Sequence, residues 1–447
     1  MSDLIQALSS FNRAERLAAL RQLAASASFP QERPNWVNMH MHTFFSYNGE
    51  GWSPCRIAYE MKQLGLYAGA ICDFDVLQGM DEFLEAADIV GLRSAVALES
   101  RVFFGEYADV EINSPGEPGV FYFMGLGFVH PPKAGTTAAQ ILASMLEQSH
   151  TRNRAVISRI NAKIPDFQLD YDQDVLPLTP DKNATERHII AAYNAKGAQT
   201  FGSTSAAAAA WSRILGTDPA QTAEKAGNYN AFNDFLRSKL MKKGGLGYVQ
   251  PTRDTFPPLE KVIQFILDCR AIPMSAWLDG DSKGEADPMS QLECLRAKGV
   301  EAVNIIPDRN WNFKDPEVKA RKLAHLADYV KAADTLGMPI NVGTEGNKPG
   351  QRPVDGFDAP ELAPYLKTFF EGAKVMVGHT RLLRYADFSY TDAKAKQAYP
   401  DVHARNAFFA SVGALPCPSE STRQELAALS PEQAFTRLAD AAKRGAW

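Results

Sequence analysis

The chain has 447 residues, 45% of them hydrophobic and 22% charged, with a formal net charge of −5. That length holds one large domain with appendages or two domains, and that balance excludes a disordered chain. The acidic net charge excludes a general attraction to nucleic-acid backbone or anionic membrane, so a polyanionic partner would need a local basic cluster.

The first stretch, Met1 to Ala24, places Leu4, Leu8, Phe11, Leu17 and Leu20 at helical spacing, and residues 1–35 are expected to form a helical extension. It has neither the apolar core of a signal peptide nor a run long enough to span a bilayer, which predicts a cytoplasmic protein. Four apolar runs follow: Val37–Thr43, Leu66–Asp73, Ser94–Phe104 and Val120–Gly127. Helical patterns lie between them at Ser53–Leu64 and Gly79–Val90. A long helix over 137–163 then opens a stretch where the alternation stops. It holds a polar segment, the alanine run Ala206–Ala210 and Gly/Lys-rich Met241–Gly247, so 136–255 reads as a mostly helical insertion. The alternation resumes with Ile272–Leu278, Ala302–Pro307 and Pro339–Glu345, separated by helical patterns at Pro288–Lys298 and Asp315–Leu336. Residues after Gly378 read as polar and irregular, with 381–447 a C-terminal extension.

Seven apolar runs alternating with helices predict an α/β fold of parallel strands under helices, and a barrel over 36–135 and 256–380. No GxGxxG or GxxxxGK[ST] occurs, so a nucleotide-binding fold lacks its signature. The five cysteines are widely spaced without a CxxC pair, which argues against a disulfide framework or thiolate zinc site and fits a reducing compartment.

The sharpest chemical feature is His40-Met41-His42. Side chains at i and i+2 of a strand face the same way, so both imidazoles point together near the strand's C-terminal end, where barrels place their chemistry. Two convergent imidazoles suit zinc, manganese or iron, and the competing reading is a hydrogen-bonded structural pair. Acidic residues end later runs: Asp73 and Asp75, then Glu99, then Glu345. A buried carboxylate is costly unless paired or metal-bound, although any one alone also suits a helix cap or ion pair. Arg152, Arg154 and Arg187 with His188 form either an anion pocket or a solvated charged face. His379, after another apolar run, is an eighth-strand ligand, a lid residue or structural.

These motifs, in this order, resemble the PHP (polymerase and histidinol phosphatase) superfamily. Asn38–Gly49 (NMHMHTFFSYNG) resembles its opening HxHTxxSDG, Ile71–Asp75 its TDHD motif, and Leu98-Glu99 its third motif. Thr185–Ala191 (TERHIIA) is similar to the RPHIA element of the nucleotide-acting subfamily. The segment from Ala231-Phe232 to Tyr248-Val249 is similar to the one leading to that fold's fifth strand. The resemblance spans roughly residues 35–350, insertion included.

It implies a distorted TIM-like (β/α)7 barrel and up to three metals. The first metal would use His40, His42, Glu99 and Glu345, the last in place of an aspartate. The second would need histidines where Tyr122 and Trp277 (in Ala276-Trp277-Leu278) stand. The third would need ligands where Tyr47, Phe74 and Asn347 stand. One complete set survives, which implies a single divalent ion, zinc, manganese or iron, since two imidazoles and two carboxylates suit magnesium or calcium less well. The expected activity is metal-dependent hydrolysis of a phosphorylated small molecule or nucleotide, with Arg152, Arg187 and His188 on the phosphate and Asp73 as general acid. The alternative is a non-catalytic or non-phosphatase barrel that binds a sugar or base among Tyr47, Phe74, Tyr122 and Trp277.

Overall fold

The computed structural model describes residues 2–447. Its seven strands are β1 (Arg33–Met41), β2 (Leu66–Phe74), β3 (Arg93–Phe103), β4 (Val120–Leu126), β5 (Ile272–Trp277), β6 (Ala302–Ile305) and β7 (Ile340–Val342). They pair in chain order in one sheet. Strand β7 swings back to β1, where Met41 and Glu345 form a parallel bridge. The Glu345 N–H donates to the His40 carbonyl and the His42 N–H to the Glu345 carbonyl, both at 2.8 Å. The sheet is thereby a nearly closed barrel. Closure depends on Gly343: a Cβ there would lie 2.4 Å from the His40 nitrogen and 2.6 Å from Asn38 Oδ1.

Each of the seven apolar runs became a strand, while the run before His379 is helical, and one strand orientation differs from expectation. Strand β4 runs antiparallel to both β3 and β5, while the other neighbours are parallel. The β3–β4 connection carries no crossover helix, only a short turn at Gly105–Tyr107, and a hairpin reverses direction where a crossover would not. Strand β4 therefore starts at the mouth of the barrel and ends at its floor.

From the floor, the Thr137–Asn161 helix leads into the insertion, which continues as helices Glu186–Phe201, Thr204–Leu215, Pro219–Ala226 and Tyr229–Leu240. The alanine run lies inside the second of these. The insertion buries its own core of Ile157, Ile160, Phe167, Tyr193, Trp211, Phe232 and Leu236, apart from the core of the barrel. It is stitched to the mouth by Asn183, whose side-chain amide donates to the carbonyls of Phe45 (3.0 Å) and Phe74 (2.9 Å).

The stretch after Gly378 is helical, not irregular. Helix Leu366–Ala386 crosses the floor, followed by Ala393–Ala398, Val402–Ala414, Glu420–Ala428 and Pro431–Arg444. Its packing is close, since a Cβ at Gly372 would meet the Ile340 carbonyl at 1.9 Å and one at Gly378 the Phe409 carbonyl at 1.8 Å. Because Val375–Leu383 is buried all round, it shows no polar face and reads as a strand. The N-terminal stretch forms two helices, Ser2–Ala7 and Arg13–Ser26, and the second is pinned by a buried Arg16–Glu82 ion pair. No helix among the described residues is long and apolar enough to cross a membrane.

Candidate metal centre

His40 is the next-to-last residue of β1, His42 directly follows the strand, and Glu99 comes from mid-β3, two strands away. The register Phe74↔Glu99 sets Glu99 level with the last residue of β2. All three side chains are buried, and one donor atom from each lies within 4.8 Å of the others. Glu99 Oε2 is 3.3 Å from His42 Nε2 and 3.7 Å from His40 Nε2. These three atoms, with His40 Nδ1, are buried without a hydrogen-bond partner. Buried polar groups are almost always satisfied, so a convergent orphan set needs a further partner. A tetrahedral shell with bonds of ~2.0–2.1 Å sets its donors about 3.3–3.4 Å apart, against 3.3 and 3.7 Å for the two imidazole–Glu99 separations. The His-His-Glu group fits a divalent transition metal.

The charge of Glu99 matches that reading. Burial works to raise its carboxyl pKa, yet His40 and His42 overcome it and hold it below the ordinary range. It is a carboxylate ready to ligate. His42 is also oriented from behind. The Ser46 hydroxyl donates to Asp73 Oδ1 at 2.6 Å, so its oxygen is left to accept from His42 Nδ1 at 3.1 Å. That puts a proton on Nδ1 and leaves Nε2, which faces Glu99, as the atom able to meet a metal ion, the outer-sphere arrangement that orients metal-binding histidines. Phe74 stacks on the same ring with centroids 4.5 Å apart.

Asp73 is therefore placed behind the histidine, and it is saturated. Besides Ser46 it accepts from the Thr43 N–H (2.8 Å) and hydroxyl (2.7 Å), and it is not in the wall of the cavity that holds His40 and Glu99. These contacts place Asp73 to orient His42 through Ser46. Asp75, held by Ser100 at 2.6 Å, sits in a separate cavity.

Glu345 also departs from expectation. Its backbone closes the barrel beside His40, but its carboxylate accepts from Arg309 at 2.6 Å and from the Asn347 amide at 3.1 Å. Among the described residues it does not join the grouped donors. A glutamate reaches one methylene past an aspartate, here to a guanidinium.

The cavity over the metal group, about 300 Å³, is lined by His40, Glu99 and Glu345 together with Tyr47, Phe74, Tyr122, Trp277 and Asn347. The last five, singled out in the sequence, meet over one cavity. Trp277 turns its ring onto Tyr329, stacked at 4.6 Å. A second cavity of about 330 Å³, under the insertion, shares Phe74, Tyr122, Thr185 and Glu186 with the first.

The expected phosphate group is divided by this arrangement. Arg187 lines the metal cavity, whereas Arg152 lines the second one, over Phe256 and 3.9 Å from Asp75. Arg154 pairs with Asp172 at the surface. His188 lines neither: its Nδ1 accepts from the Thr185 N–H at 3.1 Å as a helix capping box. Burial pushes its pKa down to about 4, so it carries no charge for a phosphate at neutral pH. His379 lies in the floor helix, its Nε2 3.2 Å from the Gly127 carbonyl, which makes it structural. Sequence reasoning missed Arg237, Lys242, Arg309 and Lys348, all in the cavity wall. Of these, Arg309 had a signal, since it follows an apolar run as Glu345 does.

No family model matches the chain, and no curated protein matches it. Two solved structures share its general outline. One is an amidohydrolase from Chromobacterium violaceum, 15% identical, covering 74% of this chain and 96% of that one, with a TM-score of 0.47. The other is a candidate metal-dependent phosphoesterase from Bifidobacterium adolescentis, 17% identical, covering 76% and 98%, with a TM-score of 0.44. Likeness at this level bears on neither activity nor ligands.

Proposed function

We propose that the chain is a metal-dependent hydrolase of the PHP type that acts on a phosphorylated small molecule or nucleotide, with one divalent ion, zinc, manganese or iron, at His40, His42 and Glu99. The observation that carries this reading is the set of orphaned donors from three buried side chains converging at the barrel mouth. A divalent ion in that position supplies Lewis acidity and brings the pKa of a coordinated water toward neutrality.

The chain's own groups supply the rest. His42 is held in the ligating tautomer by Ser46 and Asp73. Tyr47, Phe74, Tyr122 and Trp277 wall the cavity against bulk water, and basic side chains at its rim meet an anionic group. Water exclusion strengthens each of these electrostatic contacts.

The aromatic walls also favour the second reading, a barrel that binds a sugar or base without turnover. Metal analysis of protein purified without chelators, followed by a panel of phosphomonoesters and nucleotides, separates the two. About one ion per chain, with turnover abolished in His42→Ala, is the result expected of the hydrolase. Protein that carries no ion and turns over nothing in the panel refutes it in favour of the binding protein.

A further inference from the structure

The walls of the metal cavity carry five basic side chains, Arg187, Arg237, Lys242, Arg309 and Lys348, against three acidic ones, Glu99, Glu186 and Glu345. The pairing is uneven. Glu186 takes both Arg237 and Lys242. Glu99 faces the two imidazoles. Arg187 has only Asp234, at 3.4 Å, an acid largely exposed to solvent. Arg309 donates one hydrogen bond to Glu345 and stays about a third exposed. For Lys348 no carboxylate lies within ion-pair distance among the described residues. Burial lowers the Lys348 pKa and the guanidiniums of Arg309 and Arg187 lower it further, so the three cations sense one another. Three like charges that share two carboxylates, one of them solvent-exposed, oppose each other's ionisation, and an anion that joins them relieves it.

Glu345 is built to aim this group. Its φ of 68° is left-handed, uncommon for a residue with a side chain, and Gly346 continues it at 63°. Strain of this kind persists where the surroundings over-determine it, and here both backbone groups of Glu345 are bonded to β1 beside the metal ligands. The backbone that carries the carboxylate orienting Arg309 is thus bonded directly to those of His40 and His42.

We infer that Arg309, oriented by Glu345, forms with Arg187 and Lys348 a seat for a phosphoryl dianion, so that Glu345 acts on the substrate through Arg309 and not on the metal. This rests on the hydrolase reading and says which side chains hold the phosphoryl group of its substrate. Guanidinium and ammonium groups meet phosphoryl oxygens with charge-assisted, partly bidentate hydrogen bonds. They stand in for charge that a second ion supplies in two-metal sites.

The test is calorimetric titration of inorganic phosphate into protein purified without chelators, with metal per chain measured on the same samples. Methyl phosphate is titrated in parallel, and equal losses are expected because the seat reads the oxygens that both ligands share. Arg309→Gln and Glu345→Gln should each weaken binding tenfold or more, the double variant should lose little beyond either single one, and metal per chain should stay at the wild-type value in all three. Glu345→Gln protein that loses its ion as His42→Ala does overturns the inference, as does Arg309→Gln protein that binds phosphate like wild type. Wild type that carries metal but binds no phosphate overturns the seat and leaves the metal centre standing. Wild type without metal that binds phosphate through Arg309 keeps the seat and sinks the hydrolase.

Discussion

Replacing Asp73 with asparagine separates orientation from acid catalysis. The wild-type carboxylate accepts three hydrogen bonds, at 2.6, 2.7 and 2.8 Å. A bond to a charged acceptor contributes ~1.5–3 kcal/mol against ~0.5–1.5 for a neutral one, so three bonds lose about 3 kcal/mol in total. Part of that returns, because burial raises the Asp73 pKa against the pull of its donors and the amide has no charge to bury. Net destabilisation of about 1–2 kcal/mol is expected. The larger effect falls on the metal: with Ser46 no longer committed to an ionised acceptor, His42 loses its fixed tautomer, and loss of such a partner weakens metal affinity about 10–100-fold. Competition with a chromophoric chelator measures the affinity, and a urea melt of each sample confirms folding. Folded Asp73→Asn protein with wild-type metal affinity, but with residual turnover whose pH–rate profile has lost its basic limb, would refute the reasoning and restore Asp73 as the acid.

Three further expectations follow from packing and burial. Burial lowers the His379 pKa to about 4, so between roughly pH 6.5 and 4 the unfolded chain binds more protons than the folded one and stability falls with acidification. His379→Gln, less stable at pH 7, should show a flatter pH dependence of its urea midpoint over that window, and a parallel dependence would contradict this. Gly343→Ala drives a methyl into the His40 backbone and should cost at least ~1–3 kcal/mol in thermal or urea unfolding; an unchanged midpoint would mean that the β1–β7 seam is looser than described. Arg16→Met leaves Glu82 charged in a site where both partners are 2% exposed and should cost about 3–5 kcal/mol, with Arg16→Met/Glu82→Leu recovering much of it.

How legible this was depended on range. All seven strands were visible because each is a continuous apolar run buried on both faces, and His40 and His42 because i and i+2 share a strand face. Glu99 could be joined to them only through the motif order, since β3 meets β1 across β2 and no local pattern records that. The reversal of β4 was invisible because an antiparallel strand buried on both faces has the same composition as a parallel one. The Leu366–Ala386 helix was hidden for a related reason, having no solvent face in its second half. Asp73, Glu345 and His188 had the right chemistry and other partners: Ser46 and Thr43, Arg309, and the Thr185 cap. Side-chain partners of this kind are set by tertiary approach, which spacing does not encode.

The reversal of β4 has a further consequence for how the molecule is assembled. A strand that descends leaves the chain at the bottom, where antiparallel β5 also begins, so the excursion between them climbs to the mouth and comes back down. The climb is the Thr137–Asn161 helix, 25 residues or about 37 Å long, and the return is Leu259–Asp268, packed beside it. Two struts thus carry a separately cored canopy whose polypeptide enters and leaves along the same flank. Such a canopy could be cut away and the struts rejoined by a brief linker without rethreading the scaffold below. The cavity beside His40 and Glu99 would then stand open, and whatever the canopy contributes to ligand binding there would be measured by its loss.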